Sequence, residues 1–224
     1  RDTSMKVPHG EAGTVIGVCA ALSGASGQIP GAPVLQNAFA NPGLAVAANF
    51  GGGGGQSLFA LAAGWGLGSG RIMLSGAAGA QRSNEATRGA YGGRASMTAW
   101  TSAGGSLGIA GFIGAGGAPR TRASGVMTNP AVFTVPAGLT VGYRRHLGTT
   151  RGISAYASPI YRWTRLSADD GGTVSDNNFQ FAVGLDFSFN PSLGVTVGGE
   201  FGSGGDDRSS TLGAAVSWVP GGRR

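Results

Sequence analysis

The stretch NFQFAVGLDFSFN, residues 178–190, alternates without a slip. Phe179, Phe181, Val183, Leu185, Phe187 and Phe189 share one parity, and Gln180, Ala182, Gly184, Asp186 and Ser188 share the other. Successive side chains of a strand point to opposite faces of a sheet, so this strand has one greasy face and one small, polar face. A soluble sheet protein buries such a greasy face, whereas a transmembrane barrel shows it to lipid. The choice between the two decides what the chain is.

Period two recurs along the chain while helical periodicity is almost absent, and Gly, Pro, Asn, Asp and Ser clusters punctuate it. Ten strands are expected, at about 43–50, 57–68, 71–82, 89–101, 105–115, 134–147, 152–166, 178–190, 193–202 and 210–219. The links after the second, fourth, sixth and eighth are tight: GSG, TSAG, GTTR and NPS. Those after the third, fifth, seventh and ninth are longer and more polar, and GGGGG after the first belongs by count to that long series. Alternation of short turns with longer loops is the pattern of bacterial transmembrane barrels, with turns periplasmic and loops extracellular. An even strand count then puts both termini in the periplasm.

No segment reaches the roughly 18 consecutive apolar residues of a transmembrane helix. In hydrocarbon every backbone polar group needs a partner, which leaves a closed barrel as the spanning structure open to this chain. The non-greasy parity supports that reading. On a soluble sandwich it should carry Lys, Glu, Arg and Gln. Here it carries mainly Gly, Ala, Ser and Thr, the sizes a narrow barrel interior accommodates. Charged residues are only 12% of the 224, about half the usual share of a soluble domain. Trp65, Tyr161, Trp163 and Trp218 lie toward strand ends on the greasy parity, where interfacial aromatic girdles belong. Pro136 and Pro159 fall inside strands and speak against two of them. The alternative to a transmembrane barrel is a soluble or secreted one that binds a small apolar ligand inside, as lipocalins do.

The net charge is +6, but the arginines are scattered, without the basic runs or aromatic interleaving of a nucleic-acid surface. Around the single cysteine, Cys19, the stretch TVIGVCAALSGASGQ follows Met5 and Lys6 and reads as a secretory signal. The expected division is a processing segment over 1–28, an irregular lead-in over 29–42, the barrel over 43–219 and a tail over 220–224. Cleavage is expected near Ala25 to Gln28, and Val18 before the cysteine argues against a lipoprotein.

NFQFAVGLDFSFN, SLGVTVGGEFG and the last strand STLGAAVSW carry a resemblance to the small bacterial outer-membrane β-barrels of the OmpA-like and opacity-protein-like kind, over about residues 43–218. The resemblance implies an all-β, up-and-down antiparallel barrel of about ten strands (eight as the alternative), in the outer membrane. It implies the lipid bilayer with its lipopolysaccharide and the barrel-assembly machinery as partners, and a monomer as the oligomeric state. Members usually end in an alternating strand closed by an aromatic residue, which Leu212, Ala214, Val216 and Trp218 match. The following VPGGRR departs from that pattern.

Chemistry is hard to place in this chain. Of the two histidines, His9 lies in the signal and His146 beside the turn GTTR, away from the expected extracellular rim. Asp169, Asp170 and Asp176, and Asp206 with Asp207, are loop acids without EF-hand spacing. No catalytic residue, cofactor or metal is expected. The expected lumen charges are Arg94, Arg144, Arg162, Asp186 and Glu200. Arg144 and Asp186 are expected in the periplasmic half and Arg162 and Glu200 in the extracellular half, each pair two strands apart, about 10 Å of backbone spacing. A buried charge without a partner is costly, so both pairs are expected to make contact. Arg94 is left without an acid and is the candidate functional charge.

Overall fold

The computed structural model describes residues 37–39, 43–53, 55–68, 71–82, 86–123, 126–167, 172–202 and 210–220. The expected signal over 1–28, the acids Asp169, Asp170, Asp206 and Asp207, and the end of the tail lie outside the described residues. The strands are β1 (Gly43–Gly53), β2 (Gln56–Leu67), β3 (Ile72–Arg82), β4 (Thr87–Thr101), β5 (Leu107–Ala118), β6 (Thr121–Ala123), β7 (Val126–Asn129), β8 (Ala131–Leu147), β9 (Arg151–Ser167), β10 (Thr173–Ser188), β11 (Leu193–Gly202) and β12 (Ser210–Trp218). Ten of them form a closed antiparallel barrel in sequence order, sealed where β1 pairs β12 through Val46 opposite Trp218 and Phe50 opposite Ala214. The short β6–β7 hairpin stands apart in the link between β5 and β8. Closure leaves no unpaired sheet edge in the barrel. The eight-strand alternative is excluded.

The expected parity holds along the strands, with one exception at the end of β4. On β10, Phe179, Phe181, Val183 and Leu185 face outward and are exposed, as is Phe189 just past its end, while Gln180, Ala182 and Gly184 face inward and are buried. Phe187 also faces outward, half-buried against Phe189 with ring centroids 4.9 Å apart. Trp65 and Trp218 face out at the end of the barrel that carries the short turns. Tyr161 and Trp163 face out toward the loop end, where Trp163 packs edge-on against Phe133, centroids 6.2 Å apart. A further outward tryptophan, Trp100, breaks the parity read from the sequence. A bulge between Thr98 and Trp100 moves the ladder from Ala110 opposite Thr98 to Ile109 opposite Trp100, so Trp100 joins the outer face. One extra residue in a ladder has that effect.

Both in-strand prolines sit where the ladder lapses. Pairing of β5 with β8 skips from Ile113–Ala137 to Gly116–Thr134, leaving out the position of Pro136. Pairing of β8 with β9 skips from Gly138–Ile160 to Val141–Ala157, leaving out Pro159. The carbonyl of Leu139 faces Pro159, which has no N–H to give it. The hydroxyl of Ser158 donates to that carbonyl instead, at 2.7 Å.

Candidate functional site

The inward faces of these strands fill the barrel with side chains, as expected at about ten strands. They form three levels. At the loop end, Arg88 of β4 donates from Nε to Gln81 Oε1 at 3.0 Å and from Nη1 to the carbonyl of Pro130 at 3.3 Å. Gln81 also donates to Gln56. Arg88 was not among the expected lumen charges. It lies before the alternation of the fourth strand becomes legible, since Thr87 and Arg88 read as loop.

At mid-height, Arg162 of β9 and Glu200 of β11 form the expected ion pair, Nη2 to Oε2 at 3.1 Å, with side chains only 4% and 7% exposed. Their strand positions are offset. Arg162 is opposite Asn178 of β10, whereas Glu200 is opposite Ala182. The arginine therefore reaches diagonally across β10, which its length permits. Arg94 of β4 lays its guanidinium over the Phe112 ring, Cζ 3.6 Å from the centroid, a cation–π contact made stronger by burial. Its Nη2 donates to Thr140 Oγ1 at 3.4 Å. Thr140 and Ser158 hydroxyls are 3.0 Å apart. Ser158 gives its one proton to the Leu139 carbonyl, so Thr140 must be the donor between them. A relay of fixed direction results, from Arg94 through Thr140 and Ser158 to the backbone opposite Pro159. The Nε and Nη1 donors of Arg94 have no hydrogen-bond partner. Two guanidinium groups, Arg94 and Arg162, and one carboxylate, Glu200, are thus buried in the lumen.

At the turn end the expected Arg144–Asp186 contact is not made. The register itself is as anticipated: Arg144, Ser154, Asp186 and Thr196 lie opposite one another on β8, β9, β10 and β11. Asp186, however, accepts from Ser154 Oγ at 2.9 Å, from Thr196 Oγ1 at 2.5 Å and from the amide of Asn37. Arg144 turns the other way. Its Nε donates to the Gly105 carbonyl at 2.7 Å, and its Cζ stands 4.5 Å from the centroid of Phe39. A segment from before the barrel has come between the two charges and taken both. A cavity of about 330 Å³ opens below it, lined among others by Asn37, Phe39, Arg144, His146, Ser154 and Asp186. His146 is exposed on that rim.

No group of three or more histidine, cysteine or acidic side chains that could hold a metal occurs among the described residues. No protein-family model matches the chain, and no curated protein matches it. Solved structures similar to it include a bacterial polysaccharide outer-membrane secretin (10% identity, 73% of this chain and 56% of that one, TM-score 0.48). They also include the N-terminal β-barrel domain of Pseudomonas aeruginosa OprF (9%, 80% and 98%, TM-score 0.37). A third is Neisserial surface protein A (11%, 79% and 96%, TM-score 0.38). This chain spans little more than half the length of the first. Identities and scores this low transfer no property from those proteins to this chain.

Proposed function

We propose that the chain is an integral bacterial outer-membrane β-barrel with a closed lumen, a non-catalytic anchor that holds its loop end at the cell surface and both termini in the periplasm. One observation carries this: the barrel is inside-out for water. Its outer face presents Phe50, Leu61, Leu74, Leu139, Phe179, Leu212 and their neighbours, while Arg94, Arg162, Glu200, Gln180 and Thr140 are buried within. A soluble ligand-binding barrel would show the reverse. On β9 the outward charges Arg151 and Arg165 bracket outward positions from Ile153 to Trp163 that carry no charge. Ten rises of about 3.3 Å at a tilt of about 40° give a band about 25 Å tall, the height of an outer-membrane barrel's apolar belt. The non-catalytic reading is supported by the way Glu200 and Asp186 are committed to hydrogen bonds rather than gathered at an open cleft.

Refolding into detergent or vesicles should give heat-modifiable gel mobility, and the refolded protein should show no conductance steps in planar bilayers. A stable monomer in water without detergent would overturn the membrane assignment. A second reading, a narrow channel preferring anions, is favoured by the excess of inward arginines, Arg88, Arg94, Arg144 and Arg162, over Asp186 and Glu200. Regular anion-selective steps from the unaltered protein would establish it in place of the closed lumen.

A further inference from the structure

Gly108 of β5 and Gly142 of β8 lie directly opposite one another on the inner wall. A Cβ on Gly108 would stand 2.7 Å from Cε1 of Phe39, and one on Gly142 would stand 2.9 Å from the Cβ of Ala38 and 3.0 Å from Cε2 of Phe39. Real Cβ atoms do not approach so closely, so the wall is bare here because chain lies on it. The three residues Asn37–Phe39 are seated by five consecutive barrel strands. From β4, Thr98 Oγ1 donates to the carbonyl of Ala38 at 2.9 Å. From β5 and β8 come the two glycines and the Arg144 guanidinium over Phe39. From β9, Ser154 Oγ accepts from Asn37 Nδ2 at 2.7 Å, and from β10 the Asp186 carboxylate accepts from the same amide. The backbone N–H of Phe39 folds back onto Asn37 Oδ1 at 3.3 Å, and Ala38 is fully buried.

We propose that Asn37–Phe39 is a plug that shuts the turn end of the lumen, and that Gly108, Gly142, Arg144 and Asp186 are its socket. Arg144 and Asp186 are then neither a structural ion pair nor pore charges. They are two anchors for one strap, a charged acceptor for the asparagine amide and a cation for the phenylalanine face, both interactions strengthened away from water. The plug deepens the closed-lumen reading by adding a second closure, in series with Arg94, Arg162 and Glu200 above it.

The test uses Ser96→Cys in a Cys19→Ser chain. Ser96 is buried and faces the lumen between Thr98, which holds the plug, and Arg94, which closes the level above. A small sulfonate-bearing methanethiosulfonate should label it slowly in the folded protein, and about tenfold or more faster once Asn37→Ala/Phe39→Ala is added, because thiol reactivity follows access. Gly108→Leu, which fills the socket and leaves the plug residues untouched, should do the same. Equal rates with and without these changes, in barrels shown folded by heat-modifiable mobility, would overturn the proposal. Slow labelling whether or not the plug residues are changed would overturn the plug and leave the closure at Arg94 standing. Fast labelling of Ser96→Cys in the plugged chain would overturn the closed lumen itself.

Discussion

At the scale of single residues, the lumen is governed by the cost of burying polar groups without partners, and two predictions follow from particular bonds. Glu200→Ala removes the carboxylate from the Arg162 guanidinium and leaves a buried cation, at a cost of about 3 to 5 kcal/mol. Replacing both partners by apolar residues, Arg162→Met with Glu200→Leu, should recover most of that loss, as read from urea midpoints in vesicles. If the double variant is no more stable than the single, the pair does not act as a unit. Ser158→Ala takes the hydroxyl donor from the Leu139 carbonyl, at about 1 to 2 kcal/mol. Adding Pro159→Ala restores a backbone N–H at the facing position, so this second change should rescue the first. A rescue that fails would show that the hydroxyl serves the Arg94 relay rather than the proline gap. The Arg162–Glu200 pair was legible because both residues sit on clean alternating strands. The Arg144–Asp186 pair was misread although its register was right. Register gives heights on the wall, and it says nothing of a segment from outside the wall that competes for the same charges.

At the scale of elements, strong alternation made β1, β2, β8, β9, β11 and β12 legible in the sequence to within a few residues at each end. The deviations have identifiable causes. β10 begins at Thr173 rather than near 178, because TVSDN has a single apolar residue, Val174, off the greasy parity, yet continues the pairing with β9 up to Ser167. Those first residues are exposed and stand above the uncharged band, where strand pairing no longer needs a greasy face. The β6–β7 hairpin sits in what read as one long loop. The bulge at Thr98–Trp100 has no signature in composition, and it hid Trp100 by inverting the parity of the strand's last residues. β10 also offers the sharpest test of orientation. Phe181 stands on the outer face opposite Phe201 and Pro159, in the middle of the uncharged band. Phe181→Arg should lower stability by about 2 to 4 kcal/mol and reduce the yield of heat-modifiable protein. Ala182→Ser, one residue on and facing the lumen, should leave assembly intact. Equal tolerance at both positions would contradict the inside-out arrangement.

At the scale of the whole molecule, the same amino acids do opposite work on the two sides of one wall. Small residues inside leave room for a few long side chains that meet across the lumen, and large apolar residues outside form a belt that ends at outward arginines such as Arg151 and Arg165. The height of that belt makes a physical prediction. A belt of about 25 Å is shorter than the roughly 30 Å hydrocarbon core of an average bilayer. A rigid closed barrel cannot stretch to meet a thicker core, so the lipid must thin around it, at a cost of fractions of a kcal/mol per ångström of mismatch. Refolding from urea should therefore be faster and more complete in vesicles of short-chain phosphatidylcholine than in long-chain ones. Stability should rise in the same order, measured by heat-modifiable mobility and by the fluorescence of tryptophans such as Trp65, Trp100 and Trp218, which face outward at the turn end. Substituting Arg151→Leu and Arg165→Leu lengthens the uncharged run at both ends, and should shift the optimum toward thicker bilayers. Folding that ignores bilayer thickness, or that proceeds equally well with no lipid, would mean that the belt is not what holds this barrel in place.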